Sequence, residues 1–146
     1  MKKLIAIILL FGVIQFIPVS VENPSFDKAD EIVTSNEVKT ILKKACYDCH
    51  SNEVKYPFYS KIAPISWGIR NHVKQGRIAL NFSTWNSMDS YLKNQRIKRM
   101  KRILLSGSMP LNSYVLFHEE AELTQEELLT LVAWVDNDLS KEITPQ

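Results

Sequence analysis

The feature that most constrains this chain is a short stretch that holds both of its cysteines. Cys46 and Cys49 stand three positions apart, and His50 follows immediately. The apolar side chains before them recur at the spacing of one helix face, at Val38, Ile41, Leu42 and Ala45. The sequence therefore predicts two thiols one helical turn apart, at the end of a helix with a single apolar face.

This C-x-x-C-H spacing is the signature of covalent haem attachment. Two thiols one turn apart can reach the two vinyl groups on one edge of a porphyrin and form thioether bonds. The imidazole of the next residue can then bind the iron. The motif predicts one covalently attached haem c, held by Cys46 and Cys49, with His50 as the proximal ligand of the iron.

Three other interpretations of the cysteine pair remain as alternatives. A thioredoxin-like redox pair stands at a helix N-terminus within a βαβ pattern, but no strand pattern precedes Cys46. A structural zinc site needs four ligands, and the other two histidines, His72 and His118, stand far apart. A disulfide between residues three apart closes a loop too small to add much stability.

Two capping boxes mark the first and last helices of the domain. In Thr34–Glu37, the threonine hydroxyl and the glutamate carboxylate are expected to cap the helix that leads to the cysteines. In Thr124–Glu127, the same pattern starts the final helix, whose apolar positions continue to Leu139.

Two further helices are expected between these boxes. One begins near Pro64 and stops at Gly76, and the other spans roughly residues 87–105, with Gly107 placed to end it. No stretch alternates with the period of a strand. The predicted fold class is all-α, a small helical domain around one haem.

The N-terminus has the pattern of an export signal. Lys2 and Lys3 precede an apolar run that reaches Ile17, and a short basic region before such a run is typical of secretory signals. The run is slightly short for a membrane span, but no good cleavage site follows it. The predicted division is a signal peptide or membrane anchor at 1–19, a linker at 20–33 and a haem-binding domain at 34–146. We expect an exported, periplasmic protein, tethered to the inner membrane by residues 4–19 or released by cleavage.

The charges indicate which partners are compatible with the domain. The 18 basic and 16 acidic residues give a net charge of +2, and Lys2 and Lys3 account for the excess. A neutral domain disfavours a nucleic-acid binder. Residues 70–102 hold nine bases against one acid, whereas residues 117–146 hold eight acids against one base. The basic segment could steer an acidic redox partner or lie against anionic lipid, or it could be an ordinary solvated face.

Five side chains are candidates for the second, distal iron ligand: Met88, Met100, Met109, His72 and His118. Met88 and Met100 fall in a helical repeat and are expected to fill the core. Met109 instead lies in a loop between two predicted helices, where a core role explains it poorly, and Pro110 follows it. Met109 is therefore the favoured distal ligand. Arg70 and Arg77 are candidates to pair with the haem propionates.

The order of these features resembles class I cytochromes c. A helix, the C-x-x-C-H motif, middle helices, a Met-Pro loop and a capped final helix follow one another over residues 35–140. The chain is more closely similar to a family of exported bacterial proteins described by a haem-binding domain with one C-x-x-C-H motif. The shared positions are Ile14–Pro18, Cys46–His50, Ser66-Trp67, His72-Val73, Gly76-Arg77, Asn81–Ser83, Trp85, Met109-Pro110 and Ala133–Val135.

The resemblance implies haem binding, and thioether ligation at Met109 implies one-electron transfer with redox partner proteins that the sequence does not identify. An open distal site would instead allow a peroxidase-like enzyme or a haem-based redox or ligand sensor. Electron transfer is therefore the expected function, and an enzyme is the less favoured interpretation.

Overall fold

The computed structural model describes residues 1–17, 19–20 and 22–143, with side chains up to residue 138. This part of the chain contains helices and no strand, so the predicted all-α class is confirmed. The α-helices are α1 (Lys2–Ile14), α2 (Asn36–Ala45), α3 (Tyr47–His50), α4 (Ile65–Ala79), α5 (Ser90–Leu105), α6 (Asn112–Val115) and α7 (Gln125–Ile143).

Helix α1 is apolar and largely exposed. Its 13 residues span about 20 Å at about 1.5 Å per residue, whereas a bilayer core is about 30 Å thick. No helix in the described ranges is long and apolar enough to cross a membrane, and the anchor expected over residues 4–19 is not supported. The side chain of Gln15, just after α1, bonds both the N–H and the C=O of Ala63 at 3.0 Å.

The hydrophobic core lies where α2, α5 and α7 meet. Leu42, Leu131 and Val135 have no exposed surface there, and Ile97 and Leu104 reach the same cluster from α5. Full burial of such a side chain stabilises the fold by about 1.5–3 kcal/mol. This three-helix contact therefore forms the stable scaffold on which the rest of the domain is built.

The two segments of opposite charge meet in this scaffold. Lys101 on α5 pairs with Asp136 on α7 at 2.6 Å. The basic segment is thus partly neutralised by the acidic helix that packs along it.

Met100 on α5 is buried in the core, and Met88 packs against the core. The core role predicted for these methionines is therefore confirmed.

The helix boundaries follow the capping predictions with two corrections. The box at Thr124 is confirmed: Glu127 Oε2 accepts from the Thr124 N–H at 2.9 Å, and Thr124 Oγ1 accepts from the Glu127 N–H at 3.2 Å. At α2 the predicted cap is wrong by one residue. The helix begins at Asn36, so Ser35, and not Thr34, is the cap and accepts from the Val38 N–H, while the Thr34 hydroxyl donates to the Ser35 carbonyl.

Helices α4 and α5 also differ from their predicted limits. Asp89 caps α5, so the helix starts at Ser90 and not at 87, while Gly107 follows its end with a φ of 65° as expected of a helix-ending glycine. Helix α4 runs three residues past Gly76, to Ala79. The predicted stop at Gly76 is wrong because this glycine serves a tertiary contact.

Gly76 lies where α4 crosses the motif helix α3. A Cβ at this position would overlap the carbonyl oxygen of Cys49 and lie only 2.9 Å from its carbonyl carbon. Real Cβ atoms are not found so close to backbone atoms, so any larger residue has to push the two helices apart. A Cβ added to Gly68, on the same helix, would instead meet nothing within 4 Å.

We expect Gly76→Ala to lower the free energy of unfolding by about 1–3 kcal/mol, the usual cost of overpacking. The matched control, Gly68→Ala, should raise it by about 0.5–1 kcal/mol, because alanine is the better helix former and meets no neighbour there. Urea unfolding of the purified protein, followed by far-UV circular dichroism, measures both. Equal effects of the two substitutions would contradict the close contact.

Candidate functional site

The two cysteines and the histidine are held by a single helical turn. Cys46 ends α2, and its N–H donates to the carbonyl of Leu42 at 2.9 Å. Its own carbonyl accepts from the N–H of Cys49 at 3.1 Å and from that of His50 at 2.9 Å. Backbone bonds therefore fix the spacing of the three side chains, whatever they bind.

The imidazole of His50 has one nitrogen committed to the backbone. Nδ1 lies 3.0 Å from the carbonyl oxygen of Leu80, just beyond α4. A carbonyl can only accept, so Nδ1 carries the proton and Nε2 keeps its lone pair. Burial lowers the pKa of His50, which also favours the neutral ring. This is the arrangement that a metal-binding histidine uses, with a backbone carbonyl orienting the ring.

Both cysteines are free thiols. Burial raises the pKa of Cys46 to about 12 and that of Cys49 to about 11, so both are protonated at neutral pH. A thioredoxin-like nucleophile needs a lowered pKa. In the described ranges, no group of three or more His, Cys, Asp or Glu side chains is arranged to hold a metal ion. The geometry therefore favours neither alternative.

The motif opens onto a cavity of about 460 Å³ between α3, α4, α5 and the loop before α6. Cys46, Cys49 and His50 line it together with Met109. Most of the remaining wall is apolar, formed by Ile78, Leu80, Phe82, Met100, Ile103 and Leu104. An apolar cavity with two thiols, an imidazole and a thioether on its wall fits a haem.

The structure distributes the five candidate distal ligands unequally. Met109, Met100 and His72 line the cavity, whereas His118 lines a neighbouring one and Met88 packs against the core. Met109 is 37% exposed and Met100 is 8% exposed. Met109 therefore has the freedom to reach a bound group that a core methionine lacks.

Two arginines that were not predicted from the sequence also line the cavity. Arg96 and Arg99 project from α5, three residues apart and so on one face of the helix. Guanidinium groups suit the two carboxylates of a haem. Their i, i+3 spacing within the basic segment was the available signal.

Arg77, a candidate partner of the haem propionates, instead bonds other parts of the chain. Its guanidinium donates to the carbonyl of Ser51 at 2.8 Å, to that of Glu22 at 3.1 Å and to Asn23 Oδ1 at 3.0 Å. Through these three bonds, Arg77 on α4 links the chain before α2 to the loop after the motif. Arg70 is exposed and does not line the cavity among the residues described.

The two residues between the cysteines each bond a different part of the fold. The Tyr47 ring is buried and stacks on Phe82, with centroids 5.3 Å apart, and its hydroxyl donates to Glu31 Oε1 at 2.9 Å. Asp48 accepts from the N–H of Lys55 at 3.1 Å and from the hydroxyl of Tyr114 at 2.7 Å. Hydrogen bonds of these two residues therefore hold the motif against two different parts of the fold.

Glu31, which accepts the hydrogen bond of the Tyr47 hydroxyl, is itself held by two lysines. It also pairs with Lys39 at 2.6 Å and with Lys28 at 3.0 Å. Burial raises the pKa of Glu31, but the hydrogen bonds from Lys39, Lys28 and Tyr47 outweigh it and lower the pKa to about 2. The next residue, Ile32, is buried in the core, so the end of the segment expected as a linker packs into the domain.

Most of the chain matches a known protein family. The model of a family described as a haem-binding domain matches residues 9–137. No curated protein and no solved structure matches the chain.

We expect Glu31→Gln to lower the free energy of unfolding by about 1.5–3 kcal/mol at pH 6, because hydrogen bonds to a charged group are replaced by weaker ones. The folded-state pKa lies below the usual value of about 4.5, so this stabilisation is complete above that pH and is lost as the pH falls towards 2. The difference between wild type and variant should therefore shrink on acidification.

Urea unfolding at several pH values between 6 and 2.5 measures that difference. Glu37→Gln is the matched control, since Glu37 is exposed in the first turn of α2. A gap between wild type and Glu31→Gln that stays constant with pH would contradict the role of the Glu31 charge.

Proposed function

Because the chain belongs to the haem-binding domain family, we propose that it is a monohaem c-type cytochrome that carries single electrons. Cys46 and Cys49 hold the haem through thioether bonds, and His50 is the proximal ligand of its iron. The observation that carries the proposal is the bond from His50 Nδ1 to the Leu80 carbonyl, which orients a neutral imidazole beside two free thiols.

Attachment needs no oxidant or further reagent from the protein. Each thiol adds across one vinyl group: a carbon–sulfur bond forms, the S–H bond breaks, and its proton ends on the other vinyl carbon. Burial keeps both thiols protonated until then. The bound haem supplies a one-electron couple between ferrous and ferric iron. Arg96 and Arg99, which line the cavity, would pair with its propionates, and the apolar wall would exclude water from the ring.

Met109 is the distal ligand in this proposal. It lines the same cavity as His50, lies in a loop after the helix-ending Gly107, and keeps more than a third of its surface exposed. A thioether ligand from Met109 would raise the reduction potential of the haem and block access to small substrates. These effects favour electron transfer over peroxidase chemistry or ligand sensing.

Export and partner docking belong to the same proposal. The basic and apolar N-terminus acts as an export signal, which brings the chain to the periplasmic side, where c-type haem is attached. Arg99 of α5 is exposed and lines the cavity, and Lys98 and Arg102 of the same helix are exposed as well. The positive charge of α5 attracts an acidic redox partner, and no nucleic acid is involved.

The first test removes the attachment chemistry. Cys46→Ser combined with Cys49→Ser should abolish covalently bound haem, measured by haem staining on a denaturing gel and by intact mass. Each single variant keeps one thiol and should retain part of the covalent haem. Covalent haem on the double variant would contradict the assignment of the thiols, whether or not that variant folds.

The second test addresses the distal ligand in the haem-loaded protein. The oxidised wild type should show a sulfur-to-iron charge-transfer band, and Met109→Ala should lose it and bind cyanide rapidly. Met88→Ala is the control in the core, and Met100→Leu is the control on the cavity wall. Loss of the band in Met100→Leu alone would overturn the assignment of Met109. Rapid cyanide binding by wild type would instead favour the enzyme or the sensor.

A further inference from the structure

A second cavity, of about 430 Å³, lies beside the one that the haem is proposed to fill. Its wall contains the rings of Tyr56, Tyr59, Tyr114 and Phe117, together with Ile69 and Val73 of α4. Its volume is typical of small-molecule sites. Aromatic rings along such a wall favour a flat aromatic occupant.

The first polar group in this wall is the Tyr59 hydroxyl, which lies 2.9 Å from His118 Nε2. His118 Nδ1 lies 3.2 Å from Glu120 Oε1. The backbone N–H of Glu120 and the His118 ring lower the pKa of that carboxyl, so it can only accept. Whichever of the two groups donates in the Tyr59–His118 bond, the Tyr59 oxygen keeps at least one lone pair that can accept from a ligand.

The second polar group is the Tyr114 hydroxyl, which donates to Asp48 Oδ2 at 2.7 Å. Burial raises the pKa of Tyr114, so the hydroxyl keeps its proton and the oxygen again has lone pairs to spare. The Tyr114 ring stacks on the His118 ring with centroids 4.4 Å apart, which fixes both groups. Two of the three phenols in the wall, Tyr59 and Tyr114, thus present acceptors. The exposed Lys55, His72 and Ser113 are further polar side chains of the same wall.

We propose that the second cavity binds an aromatic molecule of one or two fused rings that carries a hydroxyl group. The rings of the molecule lie between Tyr59, Phe117 and the aliphatic face of α4. Its hydroxyl donates to the oxygen of Tyr59 or Tyr114. A ring with no donor leaves the remaining lone pairs of those oxygens unused and binds more weakly.

This site adjoins the haem site without being part of it. The two cavities share Asp48, Cys49, His72, Leu111 and Tyr114 as a common wall. Tyr59, His118 and Ile69 line only the second. The proposal goes beyond electron transfer, and binding here can be measured independently of covalent haem, which is quantified first on a denaturing gel.

The experiment titrates the haem-loaded protein with 2-naphthol and, in parallel, with naphthalene, by isothermal calorimetry. We expect saturable binding of 2-naphthol, at least about tenfold tighter than that of naphthalene. Tyr59→Phe should weaken 2-naphthol binding by about threefold to tenfold and leave naphthalene unchanged. The matched control Tyr91→Phe removes an exposed hydroxyl outside both cavities and should change neither.

Ile69→Trp fills the cavity and should abolish binding of both probes while haem content and the haem spectrum stay as in wild type. Three results would overturn the proposal: no saturable binding by wild type, equal affinities for the two probes, or unchanged binding in Ile69→Trp. Loss of haem in Ile69→Trp would also overturn it, because the haem then occupies both cavities.

Discussion

Helix α4 crosses the turn that carries both thiols so closely that only a glycine fits between them. At Gly76 the backbone of α4 lies against the carbonyl of Cys49, and four residues later the carbonyl of Leu80 holds the ring of His50. One stretch of chain therefore sets both the position of the motif and the direction of its imidazole. The cavity exists because α4 stays in this place while α5 forms the opposite wall.

One half of the domain is a closed hydrophobic core, and the other half contains an open cavity. The contact of α2, α5 and α7 buries its side chains completely, whereas the space between α3, α4 and α5 amounts to about 460 Å³. Under the proposed function the haem fills that space and completes the core, so that binding and folding share the same free energy. Met100 and Leu104 contribute to both halves, since they belong to the core cluster and also line the cavity.

Features that depend on residues close together in the sequence are the ones that the sequence predicts reliably. The capping box at Thr124 depends on residues three apart and was predicted correctly. The box at Thr34 failed by one position because two hydroxyls compete there and only geometry decides between them. The sequence pattern predicts a helix stop at Gly76, and that prediction is wrong because the backbone of Cys49, which Gly76 contacts, is distant in sequence.

The candidate site shows the same difference between features set by local sequence and features set by distant residues. The spacing of Cys46, Cys49 and His50 was enough to group them, and the structure brings Met109 to the same cavity. The partner of His50 is a backbone carbonyl, which no side-chain pattern reveals. The second cavity draws its wall from α3, α4, α6 and the loops between them, and so it has no signature in any one segment.

The residues at Tyr47 and Asp48 bear on how such a motif can change over time. The proposed attachment uses only the thiols and the imidazole, yet Tyr47 is bonded to Glu31 and Asp48 to Tyr114. Substitutions between the cysteines would leave the proposed reacting groups intact and loosen the turn from its surroundings. Under the proposed function, the residues that attach the cofactor and the residues that hold the turn in place are thus different members of one pentapeptide.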